Sequence, residues 1–182
     1  MKVIGVVGLP ASGKGEFSKI AAGMGIPVIV MGDMIRAAVK AAGLEPNDTN
    51  FGGTANRLRA ENGMDAIARL CIPEIRKQTA RLVLVDGIRG DSEVALFRRH
   101  FPGFILISID SSFENRLARI AARARSDDFT SADALRNRDE RELKWGLGKA
   151  LEHADLHISN DGTLLEFSEE VQRLIGRVGG AS

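Results

Sequence analysis

A lone cysteine, Cys71, stands in 182 residues, so no intrachain disulfide can form and a reducing cytosol is the expected setting. No apolar run approaches the roughly 18–20 residues of a membrane span. Met1 leads straight into an apolar stretch, without the basic start, long apolar run or small-residue cleavage site of a secretory signal. The expectation is a cytoplasmic chain with no membrane partner. An excess of one charge is also missing. The 25 basic and 24 acidic residues leave a net +1, unlike the footprint of a nucleic-acid binder. Internal repeats and low-complexity segments are absent. His100, His153 and His157 share no metal-ligand spacing, and no Ser-His-Asp arrangement is apparent. Lysine is scarce: 7 Lys against 18 Arg. A planar fork suits oxyanions better than an ammonium does, but codon bias gives the same ratio, so position must decide.

The chain is 44% hydrophobic and long enough for one domain with a buried core. Short apolar runs at 3–7, 26–30, 81–86, 104–110 and 154–160 read as strands. They are β-branched and continuous, as parallel strands buried on both faces should be. Amphipathic stretches lie between them: Phe17, Ile20, Ala21 and Met24; Phe113, Leu117 and Ile120; and Leu164, Phe167, Val171, Leu174 and Val178. Alternation of this kind predicts a doubly wound α/β domain with right-handed crossovers. Two connections are long. Residues 31–80 hold two or three helical patterns broken by "GLEPNDTNFGG", and residues 124–140 are polar and poor in core residues. We read the first as a substrate-binding arm and the second as a lid, on a core of about 1–30, 81–123 and 141–182.

"GLPASGKGE", residues 8–16, follows the first strand and opens a helical pattern. Gly8, Gly13 and Lys14 have the spacing of a phosphate-binding loop, G-x4-G-K. Such a loop turns its N–H groups toward phosphate oxygens, Lys14 reaches the terminal phosphates, and the helix presents its positive end. Leu9, Pro10, Ala11 and Ser12 complete the cradle. The hydroxyl residue that usually follows the lysine and holds Mg²⁺ is replaced by Gly15, which argues against the GTPase and motor-ATPase plan. "GKG" instead resembles the loop of adenylate kinases and related nucleoside monophosphate kinases. That resemblance implies ATP as donor, with Mg²⁺ held by phosphates and by waters on acidic residues. Glu16 departs from the Thr common there. It reads either as a favourable acid in the first helical turn or as a contact to metal-bound water.

"GDMIR", Gly32 to Arg36, follows the second strand. It is similar to the monophosphate-binding segment of adenylate kinases. Asp33 is expected to cap the helix and Arg36 to meet the acceptor phosphate with a bidentate fork. "VLVDGIRG" (83–90) ends a buried strand in Asp, the Walker B pattern, so Asp86 is the candidate to position Mg²⁺ through water. "DGIR" resembles the adenylate kinase Asp-Gly-Phe-Pro-Arg with one residue fewer, which implies that Arg89 grips the acceptor phosphate opposite Arg36.

Seven arginines and no lysine lie between residues 116 and 141: Arg116, Arg119, Arg123, Arg125, Arg136, Arg138 and Arg141. "ARIAAR" (118–123) is similar to the stretch entering the adenylate kinase lid. The resemblance implies that Arg119 and Arg123 stabilise the transferring phosphoryl group while a closed lid excludes water, and Arg138 is a further candidate for that role. The bland alternative is a helix laced with salt bridges, as "RNRDERE" suggests. "HADLHISNDGTLLEF" (153–167) resembles the end of dephospho-coenzyme A kinases. There Asn160 and Gly162 are candidates for the donor base, and Thr163 for a helix cap. Trp145 would pack the return helix, and Cys71 reads as core.

Together the motifs look most like archaeal adenylate-kinase-related P-loop proteins with a dephospho-coenzyme A kinase-like tail. The implied activity is transfer of the γ-phosphoryl group of ATP, with Mg²⁺, to a small phosphate-bearing acceptor, AMP first. Two alternatives stay open: a dephospho-coenzyme A kinase with Asp33 as base, and a nucleotide-dependent switch or scaffold with little turnover.

Overall fold

A computed structural model describes residues 1–123 and 131–180. Five strands form one parallel sheet: β1 (Lys2–Val7), β2 (Val28–Val30), β3 (Leu82–Asp86), β4 (Ile105–Asp110) and β5 (Leu156–Ser159). Their order is β2-β3-β1-β4-β5. Val3, Val6, Val83, Val85, Leu106 and Ile107 are almost fully buried, as continuous apolar runs require when both faces are covered. On one face α1 (Lys14–Gly23) and α9 (Leu164–Gly180) bring Phe17, Phe167 and Val171 onto Ile4, Leu84 and Ile107. On the other, α4 (Ala66–Arg76), α5 (Asp91–His100) and α8 (Leu147–Glu152) bring Ile67, Cys71, Ile75, Phe97 and Leu147 onto Val3, Val85 and Leu106. Full burial of each such side chain contributes about 1.5–3 kcal/mol. The fold is the expected α/β P-loop architecture. Because β2 and β3 lie on one side of β1 and β4 and β5 on the other, a crevice opens at the carboxyl end of β1, where an open α/β sheet binds ligands.

Residues 31–80 hold three helices, within the two or three that the sequence predicts: α2 (Met31–Ala41) and α3 (Asp48–Asn62) precede α4. "GLEPNDTNFGG" is not a break throughout. The Asn47 side chain caps α3 by accepting from the Asn50 amide, and Gly52 and Gly53 lie inside the helix. Ala55 and Leu58 give α3 its apolar contact with the core, which outweighs the two glycines. Asp33 is not the cap of α2. The helix begins at Met31 behind Val30, and Asp33 sits in its first turn. After α6 (Phe113–Arg123), residues 124–130 lie outside the described residues, and Ser131 then caps α7 (Ala132–Lys144) by accepting from the Ala134 amide. A single fully buried leucine, Leu135, anchors that otherwise polar helix. Among the described residues no helix is long and apolar enough to cross a membrane.

Candidate nucleotide site

The loop leaving β1 is held in place from outside. Arg116 donates to the Pro10 carbonyl at 3.1 Å. Arg119 donates to the carbonyls of Ala11 and Ser12 at 3.3 and 3.4 Å, to Ser111 Oγ at 3.0 Å, and to the Asn160 carbonyl. The Asn160 amide donates to the Ser12 carbonyl at 2.8 Å. In a planar trans peptide the carbonyl and the following N–H point opposite ways. Clamping the carbonyls of Pro10 and Ser12 therefore turns the amides of Ala11 and Gly13 away from the clamp. Gly13 has φ 117°, and a Cβ there would sit 2.1 Å from Asn160 Nδ2, so side chains are excluded twice over. A Cβ on Gly8 would fall 2.3 Å from Ser12 Oγ, which is buried and has no protein partner.

Lys14 opens α1 and donates to the carbonyls of Gly8 and Leu9, at 2.5 and 3.0 Å. Burial first, then the nearby Arg89 cation, pushes its ammonium down to about 8, while Glu142 and Asp86 act in the opposite sense. Arg89 and Arg138 meet at one carboxylate: Glu142 Oε1 accepts from Arg89 Nη1 and from Arg138 Nε, the latter at 3.1 Å. Burial works to raise the Glu142 pKa, but Arg89, Lys14 and Arg138 together outweigh it and hold the carboxyl below its ordinary value. Three cations and two acids, Glu142 and Asp86, thus surround the end of the loop.

The Ser18 hydroxyl, one turn after Lys14, donates to Asp86 Oδ2 at 2.8 Å. Glu16 pairs with Lys19 at 3.0 Å on the exposed side of the helix, which is the first-turn-acid reading. Gly15 has open space around it, and Gly32 lies beside the Arg36 guanidinium.

Arg36 is exposed and donates to Asp33, through Nε at 2.9 Å and through Nη2. Asp33 and Arg36 therefore occupy each other. Arg89 reaches the site through a buried relay: its backbone amide donates to Glu93 Oε2 at 2.7 Å, and Glu93 pairs with Arg59 of α3 at 3.2 Å. The Arg59 guanidinium lies 4.7 Å from the centre of the Trp145 ring, where α7 ends.

The predicted set is only partly convergent. Lys14, Arg89, Arg138 and Asp86 gather at the loop. Arg119 and Asn160 instead support the loop from behind, Arg119 donating to the carbonyls of Ala11 and Ser12 and the Asn160 amide to that of Ser12. Gly162 belongs to the start of α9, where Thr163 and Glu166 cap each other: Thr163 N donates to Glu166 Oε2 at 2.8 Å, and Glu166 N donates to Thr163 Oγ1 at 3.2 Å. The Arg123 side chain and Arg125 fall outside the described residues. Ser18, Arg59, Glu93 and Glu142 escape sequence reading. Of these only Glu142 carried a signal, because "RDERE" was legible as an ion-paired helix.

The residues present fit a nucleotide phosphate. The clamped loop offers amides, a cationic cluster stands at its end, and a buried unpartnered hydroxyl lines it. Ser18 and Asp86 offer oxygen donors suited to hard, hydrated Mg²⁺.

The family described as an AAA domain matches residues 7–136. A UPF0200 protein of Methanoregula boonei is 66% identical over 96% of both chains, and one of Methanoculleus marisnigri is 61% identical over 99% of this chain and 98% of its own. Among solved structures, TT1252 from Thermus thermophilus superposes with a TM-score of 0.64 at 15% identity over 96% of both chains. A gluconokinase from Sinorhizobium meliloti superposes with a TM-score of 0.60 at 19% identity, over 98% of this chain and 94% of that one. A shikimate kinase from Acinetobacter baumannii gives 0.58 at 17%, over 95% and 92%. These structures share the fold, while the archaeal relatives carry the family: the chain belongs to the UPF0200 proteins, with an AAA domain over residues 7–136.

Proposed function

We propose that this chain is an ATP-dependent kinase that moves the γ-phosphoryl group to a small phosphate-bearing acceptor, with AMP favoured. The observation that carries this reading is the convergence of Lys14, Arg89 and Arg138 at the end of a clamped phosphate loop. Phosphoryl transfer asks little covalent chemistry of a protein; its rate comes from alignment and from neutralised oxygens. Lys14 and the loop amides hold the donor phosphates. Asp86, oriented by Ser18, would hold Mg²⁺ through water, and the ion would supply charge neutralisation at the donor phosphates. Arg138 approaches the transferring group from α7, with Arg123 as a further candidate. Arg89 and Arg36 hold the acceptor phosphate, Arg89 standing beside Lys14 where it also meets the donor phosphates, and Arg36 must exchange Asp33 for its phosphate. Residues 31–80 serve as the acceptor arm. No general base is required, because a phosphate oxygen of the acceptor is already ionised. Arg119 and Asn160 act through the loop they support.

A coupled ADP-release screen over nucleoside monophosphates and dephospho-coenzyme A tests this. Turnover stimulated by AMP or another monophosphate is expected. Turnover with dephospho-coenzyme A alone would replace the acceptor class, and no acceptor stimulation at all would remove the kinase reading.

A further inference from the structure

Glu142 is a buried carboxylate in unusual surroundings. Its side chain is 1% exposed, yet it lies among phosphate-binding cations rather than in the apolar core. Oε1 accepts from both Arg89 and Arg138, and Lys14 is close enough to feel its charge. Oε2 is buried with no protein partner. A buried oxygen left unpaired costs about 1–3 kcal/mol, so a cage shaped for a carboxylate would supply its donor. This cage is cationic enough for an anion with more oxygens than Glu142 can offer. Without any anion, two guanidiniums and an ammonium would repel one another across a partly dehydrated site.

We infer that Glu142 is a built-in stand-in for a phosphate group: it holds Arg89 in the ligand-free site, and incoming phosphate oxygens must displace it. This deepens the kinase reading and rests on its phosphate-binding part, since phosphate is the anion that the loop implies. Arg138 sits four residues before Glu142 on the same helix face. When phosphate takes Arg89, the carboxylate keeps the hydrogen bond from Arg138 Nε and so positions that guanidinium for the transferring group. The site is thereby kept ordered, and triphosphate affinity is lowered by the fraction of molecules in which the internal pair is closed.

The experiment compares wild type with Glu142→Gln and Glu142→Asp, titrated with ATP and with inorganic tripolyphosphate by calorimetry, with thermal melting alongside. Gln keeps the shape and removes the competing charge. The expected result is at least about tenfold tighter binding of both ligands to Glu142→Gln, equal to 1.4 kcal/mol. Its ligand-free Tm should be lower, with a larger rise on adding tripolyphosphate. Glu142→Asp keeps the charge and should bind within about threefold of wild type. Binding by Glu142→Gln equal to or weaker than wild type, or binding by Glu142→Asp as tight as that of a tightened Glu142→Gln, overturns the inference while the kinase reading stands. If Glu142→Gln does not fold alone, refolding in tripolyphosphate should restore it; failure to do so also overturns the inference. Tighter tripolyphosphate binding without ADP release by any of the proteins would retain the inference and remove the kinase reading. No binding of either ligand by any of them would remove both.

Discussion

The Ser18 hydroxyl donates to the Asp86 carboxylate at 2.8 Å, tying the second turn of α1 to the end of β3. Gly15 offers no hydroxyl where phosphate loops usually place one, and Ser18, four residues after Lys14, faces the acid instead. A hydrogen bond to a charged group contributes about 1.5–3 kcal/mol, enough to fix a carboxylate rotamer. Ser18→Ala should therefore reduce turnover about tenfold at limiting Mg²⁺, with partial recovery as Mg²⁺ rises, and lower Tm by several degrees. Initial rates across a Mg²⁺ series check this. A loss that is independent of Mg²⁺ would separate Ser18 from the metal.

Gly13 cannot be replaced cheaply. Its φ of 117° is outside the range that side chains favour, and a Cβ would overlap Asn160 Nδ2 at 2.1 Å. The dihedral costs roughly 1–2 kcal/mol and the overlap roughly 1–3 kcal/mol more. Gly13→Ala should lower the urea midpoint accordingly. The double variant with Asn160→Ala should recover the part due to overlap and keep the part due to φ.

Arg119 separates two roles that the sequence could not. Its guanidinium spans the carbonyls of Ala11, Ser12 and Asn160 and the Ser111 hydroxyl, a fork that lysine cannot reproduce. Arg119→Lys should weaken nucleotide binding and lower Tm, with kcat at saturation changed less than about threefold. A large fall in kcat with unchanged nucleotide affinity would instead make Arg119 a catalytic arginine. Equilibrium binding measured beside steady-state kinetics decides between them.

Much of the frame was legible because its signals are local. Continuous β-branched runs mark strands buried on both faces, and the strand-loop-helix context of Gly8, Gly13 and Lys14 marks the phosphate loop. Ser18 was not legible, since a serine inside a helix shows no sign of a partner 68 residues away. Arg59 and Glu93 were hidden for the same reason: each looks like one more exposed charge until α3 and α5 pack and bury both. Glu142 was visible but misweighted. An acid near several arginines reads as a solvated ion pair, and only burial makes it part of the site. Arg119 is the reverse case: the motif reads it toward the ligand, and in the fold its guanidinium donates to backbone carbonyls of the loop. The helix from Asp48 onward was obscured by Gly52 and Gly53, whose cost is repaid by contacts far along the chain.

Lys14 should reveal its burial through protons. Its ammonium is pushed to about 8 in the ligand-free fold, against 10.5 as the ordinary value, mainly by burial and next by Arg89. Between those two pH values the unfolded chain holds a proton that the folded one has released. This one group's contribution to stability therefore rises with pH across that window. Phosphate binding has the opposite dependence, because an anion beside Lys14 favours the charged form and restores the proton. Triphosphate affinity should hold up to about pH 8 and then fall toward tenfold per pH unit, with close to one proton taken up near pH 9. Calorimetry in two buffers of different ionisation heat measures that uptake directly. Lys14→Arg stays charged throughout and should take up none. Uptake equal in both proteins would show that Lys14 is not the titrating group.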